Sequence, residues 1–394
     1  MRIVIISDWF AEKMGYAENA LPKALASLGH EVHLITSNVQ VYFNSPTYKE
    51  TYEPFIGPAI VDCTVKSFDG YTLHRLPHKI VRGRLHIVGL ANVIQQLRPE
   101  IVQAFEVLSL STQVAAIMKL KLGYKLFLQS HIHASVFDTR HKLHLKSLLY
   151  KSIGRLISLT TEKCYPISQD AAEIAINFLG IQKGKIEINS LGVDTDLFCP
   201  PLTPESQQIR AELRQQLGFA NSDLVCLYSG RFSEDKNPLL LAQAIDQLIA
   251  RGVAVRGLFI GNGPQAAAIQ ACKGCVITPF VPVRDLPPLY WATDIGVWPK
   301  QESTSQLDAA AAGLPLILSH HVYVRERING NGLLFEDNDV QNLMMQIQIL
   351  TDPQIRHRFS QYGVEKIRTQ LSWQRIAQQR LKDYEAALGK TTKG

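Results

Sequence analysis

Two short stretches concentrate side chains that could do chemistry. The first reads Gly230-Arg231-Phe-Ser-Glu-Asp-Lys236-Asn-Pro238 and follows an apolar run at 224–229. It delivers two cations into one turn. An arginine can grip a phosphate with two parallel N–H groups, and a lysine adds a mobile point charge. An Arg-x4-Lys pair alone is common on surface loops, so its weight depends on its surroundings. The second stretch is PKQESTSQLDAAAAGLP at 299–315, entered from another apolar run at 294–298. It holds an acid, Glu302, then Ser303, Thr304 and Ser305, and a second acid, Asp308. Ser305 suits a helix N-cap, and the four alanines favour a helix. Gly313 suits the left-handed residue that ends a helix, and Pro315 cannot continue one. The pattern predicts strand, tight loop, short helix. Backbone N–H groups at the start of that helix favour an anion. Two acids around such a loop make sense if the anion is a phosphate and the acids hold hydroxyl groups on either side of it. Ser305-x-x-Asp308 also fits a capping box, in which the acid serves only the helix start.

Two further clusters are weaker. Gly261-Asn-Gly263-Pro-Gln-Ala266 follows an apolar run at 255–260 and has the form GxGxxA of a dinucleotide loop. No acid lies about 20 residues on, where a ribose-binding carboxylate belongs, and the loop follows the second strand of its domain rather than the first. His131-x-His133 puts two imidazoles on alternate positions after a run at 124–130. No third ligand is spaced to complete a metal site, so the pair reads either as a polar loop or as one ring facing a cleft between domains. Six cysteines are scattered, and only Cys272 and Cys275 form a CxxC pair. They read as reduced structural thiols of a cytosolic protein.

The elements that must position these residues follow from the alternation of short apolar runs with helix-like segments. Strands are expected at 2–7, 31–37, 100–105, 124–130, 164–168 and 186–191, and again at 224–230, 255–263, 275–281, 294–299, 314–319 and 332–336. Helices are expected at 17–28, 85–97, 142–157 and 372–388. Strand–helix alternation indicates parallel sheets. Two series of six suggest two doubly wound domains, which fits a chain of 394 residues. The proline cluster at 199–204 marks the join. This gives domains at 1–198 and 199–371, with a last helix in 372–394 that has no sheet position left in the second domain and crosses back to the first.

With 46% apolar and 19% charged residues the composition is that of an ordinary globular chain. Only four apolar residues follow Met1-Arg2, too few for a signal segment, and no run approaches the length of a bilayer span. The expectation is a cytoplasmic protein. Residues 51–150 carry twelve Lys and Arg against six Asp and Glu, which accounts for the whole net charge of +6. This reads as a solvated basic face or as a surface for anionic lipid or an anionic acceptor, not for nucleic acid. The segment 142–157 has apolar residues at 145, 148, 149, 153, 156 and 157, one face of a helix, among lysines and Arg155. That face serves core packing or peripheral contact with the inner face of a membrane.

In their order along the chain, several motifs resemble the retaining glycosyltransferases of family 4, which have the GT-B fold. Gly15 and then Leu28-Gly-His30-Glu-Val32 are similar to the family's opening glycine loop and its GHEV strand entry. Ser190-Leu-Gly192-Val-Asp194 with Phe198 and Pro200 resembles the segment before the second domain. Gly230-Arg231 with Lys236 resembles the phosphate loop, and Ile260-Gly-Asn-Gly-Pro264 the GxGP turn, which argues against a dinucleotide fingerprint. Glu326-Arg-Ile328 with Gly330 and Gly332-Leu-Leu334 is similar to the family's last conserved region. Asp308 stands where the family has the second glutamate of its acidic pair. The first glutamate, counted at family spacing, falls on Lys300, and with a two-residue contraction on Glu302. The family's histidine after the third strand is replaced near Phe105-Glu106.

The resemblance implies two Rossmann-like domains facing across a cleft, with the acceptor on the first and a UDP- or GDP-sugar donor on the second. It implies transfer with retention to a glycan, lipid-linked or small-molecule acceptor, with no cofactor and no metal. Arg231 and Lys236 would stabilise the departing diphosphate with help from N–H groups at Ser303, Thr304 and Ser305. Glu302 would hold donor-sugar hydroxyls, Asp308 the ribose, and His131 would lie near the transferred sugar. Gly15, Gly230, Gly261, Gly263 and Val281 would complete the donor site. Two alternatives stand beside this reading: a sugar-nucleotide-binding protein without turnover, and a sugar-nucleotide epimerase of the same fold.

Overall fold

The computed structural model describes residues 1–132, 145–300, 302–321 and 327–389. The chain forms two compact units, Met1–Leu191 with Trp373–Gly394, and Gly192–Ser372. The division falls just ahead of the proline cluster.

Among the described residues the first unit is built on a seven-stranded sheet. Its strands are β1 (Arg2–Ser7), β2 (Glu31–Ser37), β3 (Thr64–Phe68), β4 (Tyr71–Leu76), β7 (Ile101–Phe105), β8 (Lys125–Ser130) and β9 (Thr161–Pro166); β5 (His78–Val81) and β6 (Arg84–Ile87) form a separate hairpin. The order is β3-β4-β2-β1-β7-β8-β9, and only β3 runs antiparallel. In β1 the side chains alternate between two cores: Val4 and Ile6 join Val102, Leu126 and Leu128 on one face, and Ile3 and Ile5 join Leu34, Ile101 and Phe127 on the other. Strands buried on both faces read as unbroken apolar runs, which is why the central ones stand out in the sequence. The second face is covered by the helix Ala17–Ser27, through Leu21 and Leu25, and by the helix Trp373–Ala387, whose Trp373, Ile376, Ala377 and Tyr384 lie in the same cluster as Ile3 and Ile5. Arg380 of that helix is fully buried, with its guanidinium over the Tyr165 ring.

Several expected elements differ. The hairpin β3–β4 was not anticipated, because β3 is mostly exposed and has no clean apolar period. Its turn at Asp69-Gly70 has positive φ at both residues, the signature of a two-residue hairpin loop. The helix expected at 85–97 is instead β6 followed by the helix Leu90–Leu97, parted by Gly89 at φ +85°. The run at 186–191 forms no strand and contributes one isolated bridge, Ile186 to Cys164. β9 begins before the expected run at 164–168. The helix expected at 142–157 is Leu145–Thr160, with residues 142–144 outside the described residues.

The second unit has six parallel strands among the described residues, β10 (Leu224–Ser229), β11 (Val255–Ile260), β12 (Cys275–Thr278), β13 (Ile295–Trp298), β14 (Leu316–Ser319) and β15 (Gly332–Phe335), in the order β12-β11-β10-β13-β14-β15. All six coincide with apolar runs, trimmed at their ends. In a doubly wound sheet the strand order reverses at one point, and ligands bind beyond the carboxyl ends there. That point lies between β10 and β13 in this unit, and between β1 and β7 in the first. The loops carrying Arg231 and Glu302 follow β10 and β13.

The opposite end of β10 and β13 is fastened by Asp294. Its carboxylate accepts from Arg210 Nη2 at 2.6 Å, Arg214 Nη1 at 3.1 Å and the Val225 N–H at 2.8 Å. The two arginines come from the helix Pro204–Gln216 and also donate to main-chain carbonyls around the strand entry, including Thr293 and Asp223. Asp294→Ala removes the common acceptor of both. Urea unfolding of the second unit is expected to show a loss of ~2–3 kcal/mol, most of it from the guanidinium of Arg214 left buried without a counter-charge.

Candidate functional site

In the second unit the loop after β10 is shaped by close approach of backbones. Gly230 N–H donates to Ile260 O at 3.0 Å and Phe232 N–H to Asn262 O at 2.9 Å. Gly261 has φ +153°, and a Cβ there would lie 2.0 Å from the Gly230 carbonyl oxygen; at Gly263 it would lie 2.7 Å from that of Phe232. These two glycines therefore fix the path of the Arg231 loop by letting the next loop press against it. The buried Tyr228 hydroxyl donates to the Arg231 carbonyl at 2.9 Å. The Arg231 guanidinium itself is half exposed and 3.6 Å from Asp235.

Lys236 joins the two motifs. Its ammonium donates to the main-chain carbonyl of Glu302 at 2.8 Å, and among the described residues no carboxylate pairs with it directly. Burial pushes its pKa down to about 8; the charges of Arg231 and Arg327 act in the same direction, against Asp235 and Glu302.

The helix after β13 runs Ser305–Ala311 and is preceded by Thr304, so Ser305 is its first residue and not its N-cap. The reason is Trp298. Its buried indole N–H is 3.1 Å from both Ser229 O and Ser305 Oγ, and Ser305 Oγ donates to Ser229 O at 2.9 Å. The Ser305 hydroxyl is thus turned inward, where it ties the helix start to the end of β10. Ser303 Oγ lies 2.7 Å from it. The main-chain N–H groups of Ser303, Thr304 and Ser305 have no acceptor among the described residues. Asp308 takes no part in a capping box. Its carboxyl has no hydrogen-bond partner among the described residues, and its pKa is pushed up to about 8 by burial and by Asp194, with Arg327 opposing.

Arg327, which sequence reasoning passed over, is buried and donates to Ser303 O at 3.1 Å and to Gln306 Oε1 at 3.4 Å. The structure thus gathers Gly230, Arg231, Lys236, Glu302, Ser303, Thr304, Ser305 and Asp308 at the ends of β10 and β13, with Arg327 and Asp194 added. Val281 is half-buried in the loop after β12, toward the edge of the sheet.

The first unit holds the other expected residues. Gly15 is exposed in the loop after β1, ahead of the helix Ala17–Ser27. His133 lies outside the described residues. His131 follows β8 and is the end of a buried polar chain. Tyr384 hydroxyl donates to Gln103 Oε1; Gln103 Nε2 donates to Gln129 Oε1 at 3.2 Å; Gln129 Nε2 stands 2.7 Å from His131 Nε2. An amide nitrogen can only donate, so His131 Nε2 accepts and the neutral ring carries its proton on Nδ1. The His131 main-chain N–H donates to Glu106 Oε1 at 3.1 Å, and the ring meets Phe105 edge to face. Gln103 and Gln129 were invisible to an apolar-run reading because they are polar residues inside buried strands.

Three acids lie at the switch point of this sheet. Burial raises Asp8 to about 6, against a hydrogen bond from Ser111; it raises Glu18 to about 7 and Glu106 to about 8, and Glu106 also feels the charges of Glu18 and Asp8. One oxygen of Glu106 is buried without a partner among the described residues. Among the described residues no group of His, Cys, Asp and Glu is arranged to hold a metal ion.

Two Rossmann-like halves, one with a cation-lined strand–loop–helix at its switch point, are the architecture of the GT-B fold. The solved sucrose-phosphate synthase of Thermosynechococcus elongatus superposes with a TM-score of 0.69 at 17% identity, over 99% of this chain and 100% of that one. Anabaena Alr3699/HepE, solved in complex with UDP, gives 0.69 at 17% identity over 98% and 100%. At such identities the likeness is one of fold. Family profiles match two parts of the chain: Glycosyltransferase Family 4 over residues 20–197, and Glycosyl transferases group 1 over 223–352. The chain belongs to the family 4-like glycosyltransferases of GT-B fold. Spore coat protein SA of Bacillus subtilis (strain 168) is 30% identical over 215 residues, 49% of this chain and 57% of that protein. The UDP-Gal:alpha-D-GlcNAc-diphosphoundecaprenol alpha-1,3-galactosyltransferase of Escherichia coli is 24% identical over 259 residues, 60% and 63%. The chain thus spans little more than half the length of these curated relatives.

Two pH responses follow. Anion binding needs Lys236 charged, so affinity for a nucleoside diphosphate is expected to fall about fivefold between pH 8 and 9. Calorimetry across that range checks it, and Lys236→Arg should flatten the profile. In the first unit the folded state holds protons on Asp8, Glu18 and Glu106 that the unfolded chain releases near pH 4. The stability this gives is complete below pH 4 and is lost as pH rises through about 6 to 8. Denaturant midpoints should fall over that range, and less so in Glu106→Gln.

Proposed function

We propose that this protein transfers a sugar from a nucleoside diphosphate sugar, with retention at the anomeric carbon, to a glycan or lipid-linked acceptor. The observation that carries the reading is Lys236: a half-buried ammonium beside Arg231, at a switch point, with no paired carboxylate and with three neighbouring main-chain N–H groups that have no acceptor among the described residues. This is a place prepared for a diphosphate. Charge develops on the diphosphate as the glycosidic bond breaks, and donors already in position stabilise it without reorganisation. Glu302 holds hydroxyls of the donor sugar. Asp308, half-buried and without a hydrogen-bond partner among the described residues, accepts from the ribose hydroxyls. Gly230, Gly261 and Gly263 give the loop its path, and His131 serves the transferred sugar. The protein's own cations do the work a divalent ion does elsewhere, and no cofactor enters the scheme. A uridine nucleotide is the first choice, on the analogy of Alr3699/HepE, which was solved with UDP and with UDP-glucose.

Calorimetry with UDP, GDP and ADP, followed by transfer and hydrolysis assays with their sugars, tests the reading. One diphosphate should bind and its sugar should turn over. Binding without turnover would leave a donor-binding protein, and no binding would sink the proposal. Arg231→Ala and Lys236→Ala should each lower turnover by ~10²-fold or more. Asp308→Asn should lose discrimination between ribo- and 2′-deoxy-diphosphates at a cost of ~1–2 kcal/mol in affinity. The fold should be no less stable for that change near pH 7, since a buried carboxyl with a raised pKa opposes folding there.

A further inference from the structure

The first unit presents an apolar face that its own core does not use. The helices Leu110–Leu122 and Leu145–Thr160 pack side by side, and Lys119 of the first reaches the Thr160 carbonyl at the end of the second. Their inward residues, Ala115, Ala116, Met118 and Ile157, belong to the core cluster. Their outward residues are Ile117, Leu120, Leu148, Leu149, Leu156 and Leu159, between 56% and 78% exposed. Large aliphatic side chains scattered singly on a surface need no explanation; six on two adjacent helices do. A helix facing water carries polar groups on its outer side.

The charges on these helices choose the occupant. The two segments contain Lys119, Lys121, Lys146, Lys151 and Arg155 and not one Asp or Glu. Lys119 is engaged by Glu162, whereas Lys121 and Arg155 are exposed beside the leucines. A second copy of the chain docking through the same face would set cation against cation. An anionic bilayer satisfies both features at once: aliphatic side chains enter the boundary between head groups and acyl chains, and the cations meet phosphate. Among the described residues no helix is long and apolar enough to cross a membrane, so the contact lies on the surface.

We propose that the outer face of these two helices docks on an anionic lipid surface. The proposal rests on exposure and charge in the first unit and stands apart from the donor site, so either can fail alone. The test is sedimentation of the full chain with vesicles of phosphatidylcholine alone and of phosphatidylcholine mixed with phosphatidylglycerol. Binding is expected to the mixed vesicles only and should weaken as salt rises. Leu156→Ser with Leu159→Ser should reduce vesicle affinity by on the order of tenfold or more for each leucine, and Lys121→Glu with Arg155→Glu should do the same on anionic vesicles. Nucleoside diphosphate binding and circular dichroism should be unchanged in both pairs, which separates lost docking from lost fold. Equal binding to both vesicle types, no binding, or variants that bind like the parent would overturn the proposal. So would a stable dimer in sedimentation velocity that the leucine substitutions dissolve, because the face would then belong to a second copy.

Discussion

The second unit is organised around the cost of holding a lysine ammonium out of water without a carboxylate. Desolvation alone would drive the proton off or the side chain outward. What keeps Lys236 in place is a carbonyl, that of Glu302, and this one hydrogen bond links the loops after β10 and β13. Those loops can meet only because β10 and β13 are adjacent, and the first can lie flat only because Gly261 has no side chain. The Trp298 indole then locks the helix start against the end of β10. A carboxylate at the same place would satisfy the lysine better and leave it nothing to offer an anion. The fold keeps the charge under-satisfied, a condition that pays for itself only when a ligand arrives.

The first unit solves the opposite problem at its own switch point. It gathers acids rather than cations, and burial raises the pKa of each, that of Glu106 furthest. A protonated carboxyl both donates and accepts, as a sugar hydroxyl does. The polar chain from Tyr384 to His131 adds orientation: each amide has one face for accepting and one for donating, so the sense of every bond is set once the first is made. The His131 tautomer is thereby linked to a residue far along the sequence.

Legibility in the sequence followed burial. Every strand of the second sheet is a dense apolar run, and all six could be read. The hairpin β3–β4 could not be read from apolarity, because β3 is exposed and β4 buries the polar His74 and Arg75, although Asp69-Gly70 marked its turn. The cationic loop and the acidic helix start were visible because Gly, Pro and Ala punctuate them. The role of Ser305 was not, since a serine at a helix start is a cap unless something else claims its hydroxyl, and Trp298 and Ser229 do so from elements distant in sequence. Arg327 and Gln129 were missed for a similar reason: their partners are set by the sheet order, which no local pattern reveals. The exposed leucines of the helix Leu145–Thr160 were legible as a face, but its direction was settled only by the packing of Ile157 and the exposure of Leu156 and Leu159.

The return of the helix Trp373–Ala387 to the first unit bears on how the protein is made. Synthesis proceeds from the N-terminus, and the second unit, continuous from Gly192 to Ser372, is complete before this helix exists. At about 5–20 residues per second the first unit waits roughly 10–40 s for the segment that covers Ile3, Ile5 and Phe127. During that interval the part of this face that the helix Ala17–Ser27 leaves uncovered is open to water, to neighbouring nascent chains and to chaperones. The half that begins first is finished last, and its quality depends on what shelters that face on the ribosome.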